Sequence, residues 1–176
     1  MIPSLLLLAM GLLGATDIVV FHVLRHDLRG RVESRAELVT HFLRGPTYAL
    51  LFFLVPNFDL RGAWFHALLA LLAFDAALSI VDFWLEPDSR SKAGGLPRGE
   101  YVLHVLLAML FGALVAAVLY EGRGLGAQPS SFRWVAVGDG DVPTWLRGLL
   151  SVMAPVVLWT GLLDLRAVVR LGRTTA

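Results

Sequence analysis

Imidazole and carboxylate recur at four-residue steps along this chain: His22 and His26, Glu37 and His41, Glu100 and His104. Asp75, Ser79, Asp82 and Glu86 follow one another at i, i+4, i+7 and i+11. On a helix these spacings gather side chains onto one face. Nitrogen and oxygen donors without sulfur suit iron, manganese or zinc. The chain has no cysteine, which excludes disulfides, thiolate ligation and Cys nucleophiles together.

The elements that must position these residues are set by composition. Of the 176 residues, 57% are hydrophobic and 16% charged, and the mean hydropathy is +0.70. A soluble domain carries more charge, and each of several apolar runs here approaches the roughly 20 residues that span a bilayer core. The expected fold is therefore an all-α integral membrane protein, one antiparallel bundle of about five transmembrane helices over residues 1–176. The helices are placed at 2–26, 33–55, 63–86, 98–120 and 144–169. Pro87 closes the third and Pro97 opens the fourth. The first lacks the basic leader of a signal peptide and is read as a retained span. Residues 121–143, rich in Gly, Pro and Ser, form an external loop in which SFRWVAV alternates as a short strand or a surface segment would.

Basic residues orient the bundle. Arg25, Arg29, Arg31, Arg35, Arg44, Arg90, Lys92, Arg98, Arg166, Arg170 and Arg173 fall on one side, against Arg61, Arg123, Arg133 and Arg147 on the other. The positive-inside rule makes the first side cytoplasmic, with the N-terminus outside and the C-terminus cytoplasmic in a bacterial-type inner membrane. The ends of helices 1 and 3 and the starts of helices 2 and 4 then share the cytoplasmic leaflet. Four helices deliver His and acid to one place. His66 lies at the other end of helix 3.

For any single residue the plainer explanation is an interfacial side chain reaching water or a neighbouring arginine. Four histidines among acids are not explained that way, because Arg and Lys alone would neutralise the acids. The ligand set read here is His22, His26, Glu37, His41, Asp82, Glu86, Glu100 and His104. That exceeds the roughly four to six donors one ion takes, so two ions are expected, iron favoured over zinc or manganese.

Three functions fit such a set. In the first, a di-iron centre oxidises a lipophilic substrate drawn from the bilayer, supplied with electrons by a donor protein. In the second, zinc activates water to cleave a lipid ester, amide or phosphoester, with Glu37, Asp82 or Glu100 as general base. Arg25, Arg44, Arg90 and Arg98 would then hold an anionic headgroup, although positive-inside bias alone explains them. In the third, the protein is a non-catalytic metal carrier or a b-type cytochrome, with haem between His41 and His104 or between His22 and His104.

Asp75, deeper on the helix 3 stripe, is a candidate floor of the substrate pocket or a hydrogen-bonding partner of a neighbouring helix. Trp84 and Tyr101 flank the proposed site, while the other aromatic residues near helix ends read as interfacial anchors. Asp17 precedes His22 by five residues, about 140° around an α-helix at ~100° per residue. It is left outside the set, either as a partner for Arg147 or as a cap on a polar contact near mid-membrane. Asp164 is expected to pair with an arginine. No P-loop, GxGxxG, HExxH or GxSxG occurs, nothing indicates nucleic-acid binding, and the oligomeric state is not legible.

Overall fold

The computed structural model describes residues 1–174, and 82% of it is helical. Five helices are long and apolar enough to cross a membrane: Ile2–Arg25, Val32–Asn57, Ala63–Ala93, Arg98–Glu121 and Thr144–Arg173. Within them the regular α-helices are α1 (Ile2–Asp17), α2 (Arg35–Asn57), α3 (Ala63–Arg90), α4 (Arg98–Glu121) and α5 (Thr144–Thr174).

Two departures from the expected helices matter for the site. The first span changes from α to π winding over Ile18–Arg25, ending where the His26 amide donates to the Phe21 carbonyl five residues back. The β-branched run Ile18-Val19-Val20 starts this segment, and such side chains crowd the preceding α turn. Secondly, α3 does not stop at Pro87. It runs one turn further to Arg90 with the proline inside, so that Ser89 and Arg90 extend the stripe of Asp75, Asp82 and Glu86.

The fold is not purely α. Phe58–Arg61 (β1) pairs antiparallel with Ser131–Trp134 (β2), with Phe58 opposite Trp134 and Asp59 opposite Arg133. The alternation in SFRWVAV thus forms a strand, whose partner lies in the short α2–α3 connection. Arg133 Nη2 and Arg61 Nη2 donate to Asp59 Oδ2 at 3.0 and 2.7 Å. Beneath the ribbon, Arg147 donates to Asn57 Oδ1 at 3.3 Å and to the carbonyls of Val135 and Ala136. Arg147 is thereby committed to the loop and does not meet Asp17.

The helices pack unevenly. α2 and α5 make the most extensive pairing, and α4 lies along α1. Where α2 crosses α5, a Cβ built on Gly45 would come within 3.1 Å of the Gly161 Cα. The two backbones meet there because neither residue has a side chain. By contrast the backbones of α3 and α4, although joined by a short turn, seldom approach closely, and side chains such as Arg90 and Glu100 bridge them. The apolar core, including Leu7, Met10, Leu51, Phe52, Leu72, Leu114 and Leu150, fills the half of the bundle that contains the ribbon. The other half buries polar side chains.

Candidate metal centre

The ends of the first and third spans and the starts of the second and fourth converge as the charge pattern requires. His22, His26, Glu37, Asp82, Glu86, Glu100 and His104 are buried, and His41 is nearly so. Asp17 joins them. In π winding, residues five apart align, and His22 Nε2 lies 3.2 Å from Asp17 Oδ2. His104 Nε2 approaches the same oxygen at 3.3 Å. Regular α geometry would have kept Asp17 off this face. The only signal available in the sequence was the β-branched run after Asp17.

Two overlapping groups of donors result. Asp17, His22, Glu100 and His104 offer ligand atoms all within 4.8 Å of one another, and so do His22, Glu37 and His41. His22 belongs to both, and its ring stacks on His41 with centroids 4.6 Å apart. Among the described residues, four buried side-chain atoms have no hydrogen-bond partner: Asp17 Oδ1, His22 Nε2, Glu37 Oε1 and His104 Nδ1. All four belong to this centre. Buried polar atoms are ordinarily satisfied; here His22 Nε2 and His104 Nδ1 stand at ion-pair distance from Asp17 and Glu86 without hydrogen-bond alignment, and Asp17 Oδ1 and Glu37 Oε1 accept no hydrogen bond.

The remaining members of the expected set act through neighbours. Glu86 Oε1 stands 2.9 Å from His104 Nδ1, on the ring edge away from Asp17, at ion-pair distance but without hydrogen-bond alignment. Asp82 accepts from the Thr40 hydroxyl at 2.5 Å and lies 3.4 Å from His41 Nε2. His26 Nε2 donates to Glu100 Oε2 at 3.1 Å, and burial holds the ring's pKa below its ordinary value against the pull of that carboxylate. Glu86, Asp82 and His26 are outside both donor groups and contact residues that belong to them, His104, His41 and Glu100 respectively.

Arg90 is the largest correction. Far from offering a headgroup contact, it is fully buried between two carboxylates. Its Nη1 donates to Glu37 Oε2 at 2.5 Å, its Nη2 to Glu100 Oε1 at 2.6 Å. Reading Pro87 as a helix stop hid this residue. Arg44 is also occupied, giving Nε to Asp75 at 3.3 Å and Nη1 to Asp82 at 3.4 Å. Arg25 and Arg98 are exposed, whereas Arg44 and Arg90 are held by buried carboxylates, so the four arginines do not assemble an anion site. Asp75 is not a pocket floor. It is completely buried behind Arg44 and Tyr48, whose hydroxyl donates to it at 3.1 Å.

Trp84 and Tyr101 point outward, 83% and 60% exposed, as anchors do. Asp164 accepts from Arg29 Nε at 2.6 Å, and Glu33 pairs with Lys92. His66 packs beside Gly126 in the ribbon half, far along α3 from the centre.

Charge decides what this arrangement can hold. Among the described residues, Asp17, Glu37, Asp75, Asp82, Glu86 and Glu100 face only Arg44 and Arg90 as permanent cations. The excess negative charge is balanced either by protonating the four histidines or by two divalent ions, since unbalanced charge in this interior is costly. The donor types and the orphaned atoms suit ions. They do not suit haem: His22 and His104 both point at Asp17 Oδ2, and His41 stacks on His22, which leaves no space for a macrocycle between any of these rings.

A cleft of about 230 Å³ opens beside the centre between α3 and α4. On the other side of His22 and His41, under Arg29 and Asp164, lies a second opening of about 10 Å³, the size of one water. No family model matches the chain, and neither the curated proteins nor the solved structures contain a match to it.

Proposed function

We propose that this chain is a membrane-embedded metalloenzyme whose centre holds two divalent ions. Asp17, His22, Glu100 and His104 would bind one ion, and Glu37 and His41 the other, with His22 where the two groups meet. The observation that carries this reading is the concentration of all four orphaned buried atoms in one His/carboxylate cluster. The uncompensated negative charge supports the stoichiometry. A bilayer setting is supported by the five long apolar helices and an exterior rich in exposed Leu, Val, Phe and Trp. The basic residues favour a cytoplasmic orientation for the centre.

The chain's own contributions follow from its contacts. Arg90 ties Glu37 to Glu100 and fixes their spacing. Glu86 turns the His104 ring toward Asp17, and Asp82 with Thr40 does the same for His41. Two His and two carboxylates with no thiolate favour iron, which when bound would supply the oxygen activation needed to oxidise a lipophilic substrate, drawing electrons from a donor protein. The dry apolar walls of the α3–α4 cleft would exclude water from that chemistry.

A second reading rests on the water-sized opening at His22 and His41. Glu37 does not line that opening, but its Oε1, free of hydrogen bonds and 3.7 Å from His41 Nε2, is available beside it as general base for zinc-dependent hydrolysis. Metal quantification with absorption and EPR spectra on the purified protein separates the readings. Two irons per chain support the first and stoichiometric zinc the second. A chain with no stoichiometric metal overturns both.

A further inference from the structure

We propose that the α3–α4 cleft admits one uncharged long-chain lipid sideways from the bilayer and delivers it to the centre. This identifies the substrate class and rests on the metalloenzyme reading above. Helices joined by a short turn ordinarily pack together, but the α3 and α4 backbones seldom approach closely, being bridged by the side-chain pairs Arg90–Glu100 and Glu86–His104, and the cleft lies between them. Its walls are Ala76, Ile80 and Phe83 from α3 and Leu107, Ala108 and Phe111 from α4. Ile80, at 69% exposure, and Ala108 lie on the outer surface, so the mouth opens toward the acyl chains surrounding the bundle.

The inner end is polar, formed by Asp17, Asp82 and His104 with Arg44 and Tyr48 beside them. The cleft thus presents an apolar channel to a tail and a ligand edge to one functional group. Its volume is below the roughly 300–1,000 Å³ of pockets that engulf a whole ligand. That suits a single chain inserted at one end while the rest stays in lipid.

The charge of the occupant follows from the same residues. An anionic headgroup would require a free cation, yet the only arginine at the cleft is held by Asp75 and Asp82. Asp17 and Asp82 would repel the anion. With two divalent ions the centre is already balanced, so an ionised headgroup would carry uncompensated charge into the bundle. A neutral alcohol, aldehyde or acyl chain adds none.

The test uses the full chain in lipid nanodiscs with photoreactive alkyl probes, a diazirine fatty alcohol and the matching fatty acid ionised at pH 8. Labelled peptides are mapped by mass spectrometry and metal content is measured on the same samples. The alcohol should label α3 around Ile80–Phe83 and α4 around Leu107–Phe111. Excess unlabelled alcohol should abolish that label, and the acid should not produce it. Ala108→Trp and Ala76→Trp, which plug the cleft from opposite walls, should each lose the competed label. Folding of both is checked by monodispersity on size exclusion, so that one folded variant suffices. Label spread evenly over the lipid-facing helices, or unaffected by competitor, overturns the inference whatever the metal content. Equal labelling by the acid overturns the neutral class. Competed label confined to the cleft of a protein that binds no metal supports lipid entry and overturns the metalloenzyme reading.

Discussion

Asp17 Oδ2 lies 3.2 Å from His22 Nε2 because the helix joining them changes from α to π winding immediately after Asp17. One extra residue in the turn converts a carboxylate that should face elsewhere into the meeting point of two imidazoles, His22 and His104. π segments tend to occur where function demands such a register change.

Removal of that carboxylate charge should therefore weaken metal binding as removal of an imidazole does. Asp17→Asn and His104→Gln are each expected to lower affinity by at least about ten- to a hundredfold, read by competition with a chromogenic chelator. His66→Gln, at the far end of α3, should bind as the parent does.

Arg90 tests the internal charge balance. It is fully buried and bonded to both Glu37 and Glu100. Arg90→Met leaves two carboxylates without their shared partner, and the expected loss is about 3–5 kcal/mol, measured as chemical unfolding in detergent. Adding Glu37→Gln to that variant should restore part of the loss, because one unpaired charge is then gone.

The α2–α5 crossing depends on two glycines facing each other. A Cβ on Gly161 would lie 3.1 Å from the Gly45 Cα, and backbone cannot swing aside as a side-chain tip can. Gly161→Val should cost about 1–3 kcal/mol by overpacking. Gly112→Ala, where an added Cβ meets nothing within 4 Å, should be close to neutral in a parallel thermal melt.

The ribbon carries the pH dependence that lies outside the spans. The hydrogen bond from Arg61, assisted by Arg133, holds the Asp59 carboxyl below its ordinary value of 3.8. The folded ribbon therefore binds that proton less readily than the unfolded chain. The stability it contributes is complete above the ordinary value and is lost as pH falls toward the lower folded one. Hydrogen-exchange protection factors of the amides of residues 58–61 and 131–134 should fall through that acid window. In Asp59→Asn they should already be low at neutral pH and change little on acidification.

The periodicities by themselves determined much of this protein. Apolar runs of spanning length locate five helices to within a few residues at most ends, because burying a backbone among apolar groups requires it to satisfy its own hydrogen bonds. Four-residue steps of His and acid, read with strict up-and-down alternation, bring eight residues to one end of the bundle. Those signals are local, and local geometry follows from local sequence. What tertiary structure decided was which of the eight point at one another and what stands between them. The local β-branched run that starts the π turn does not itself say which carboxylate the turn brings to His22 and His104. The passage of α3 through Pro87 that inserts Arg90 and the pairing of β1 with a strand about seventy residues later each depend on distant partners. The same holds for the separation of α3 from α4: α4 packs on α1 and α3 on α2, so two helices adjacent in sequence are drawn apart. No spacing within either helix encodes that choice, because it follows from the relative burial of faces that only the assembled bundle compares.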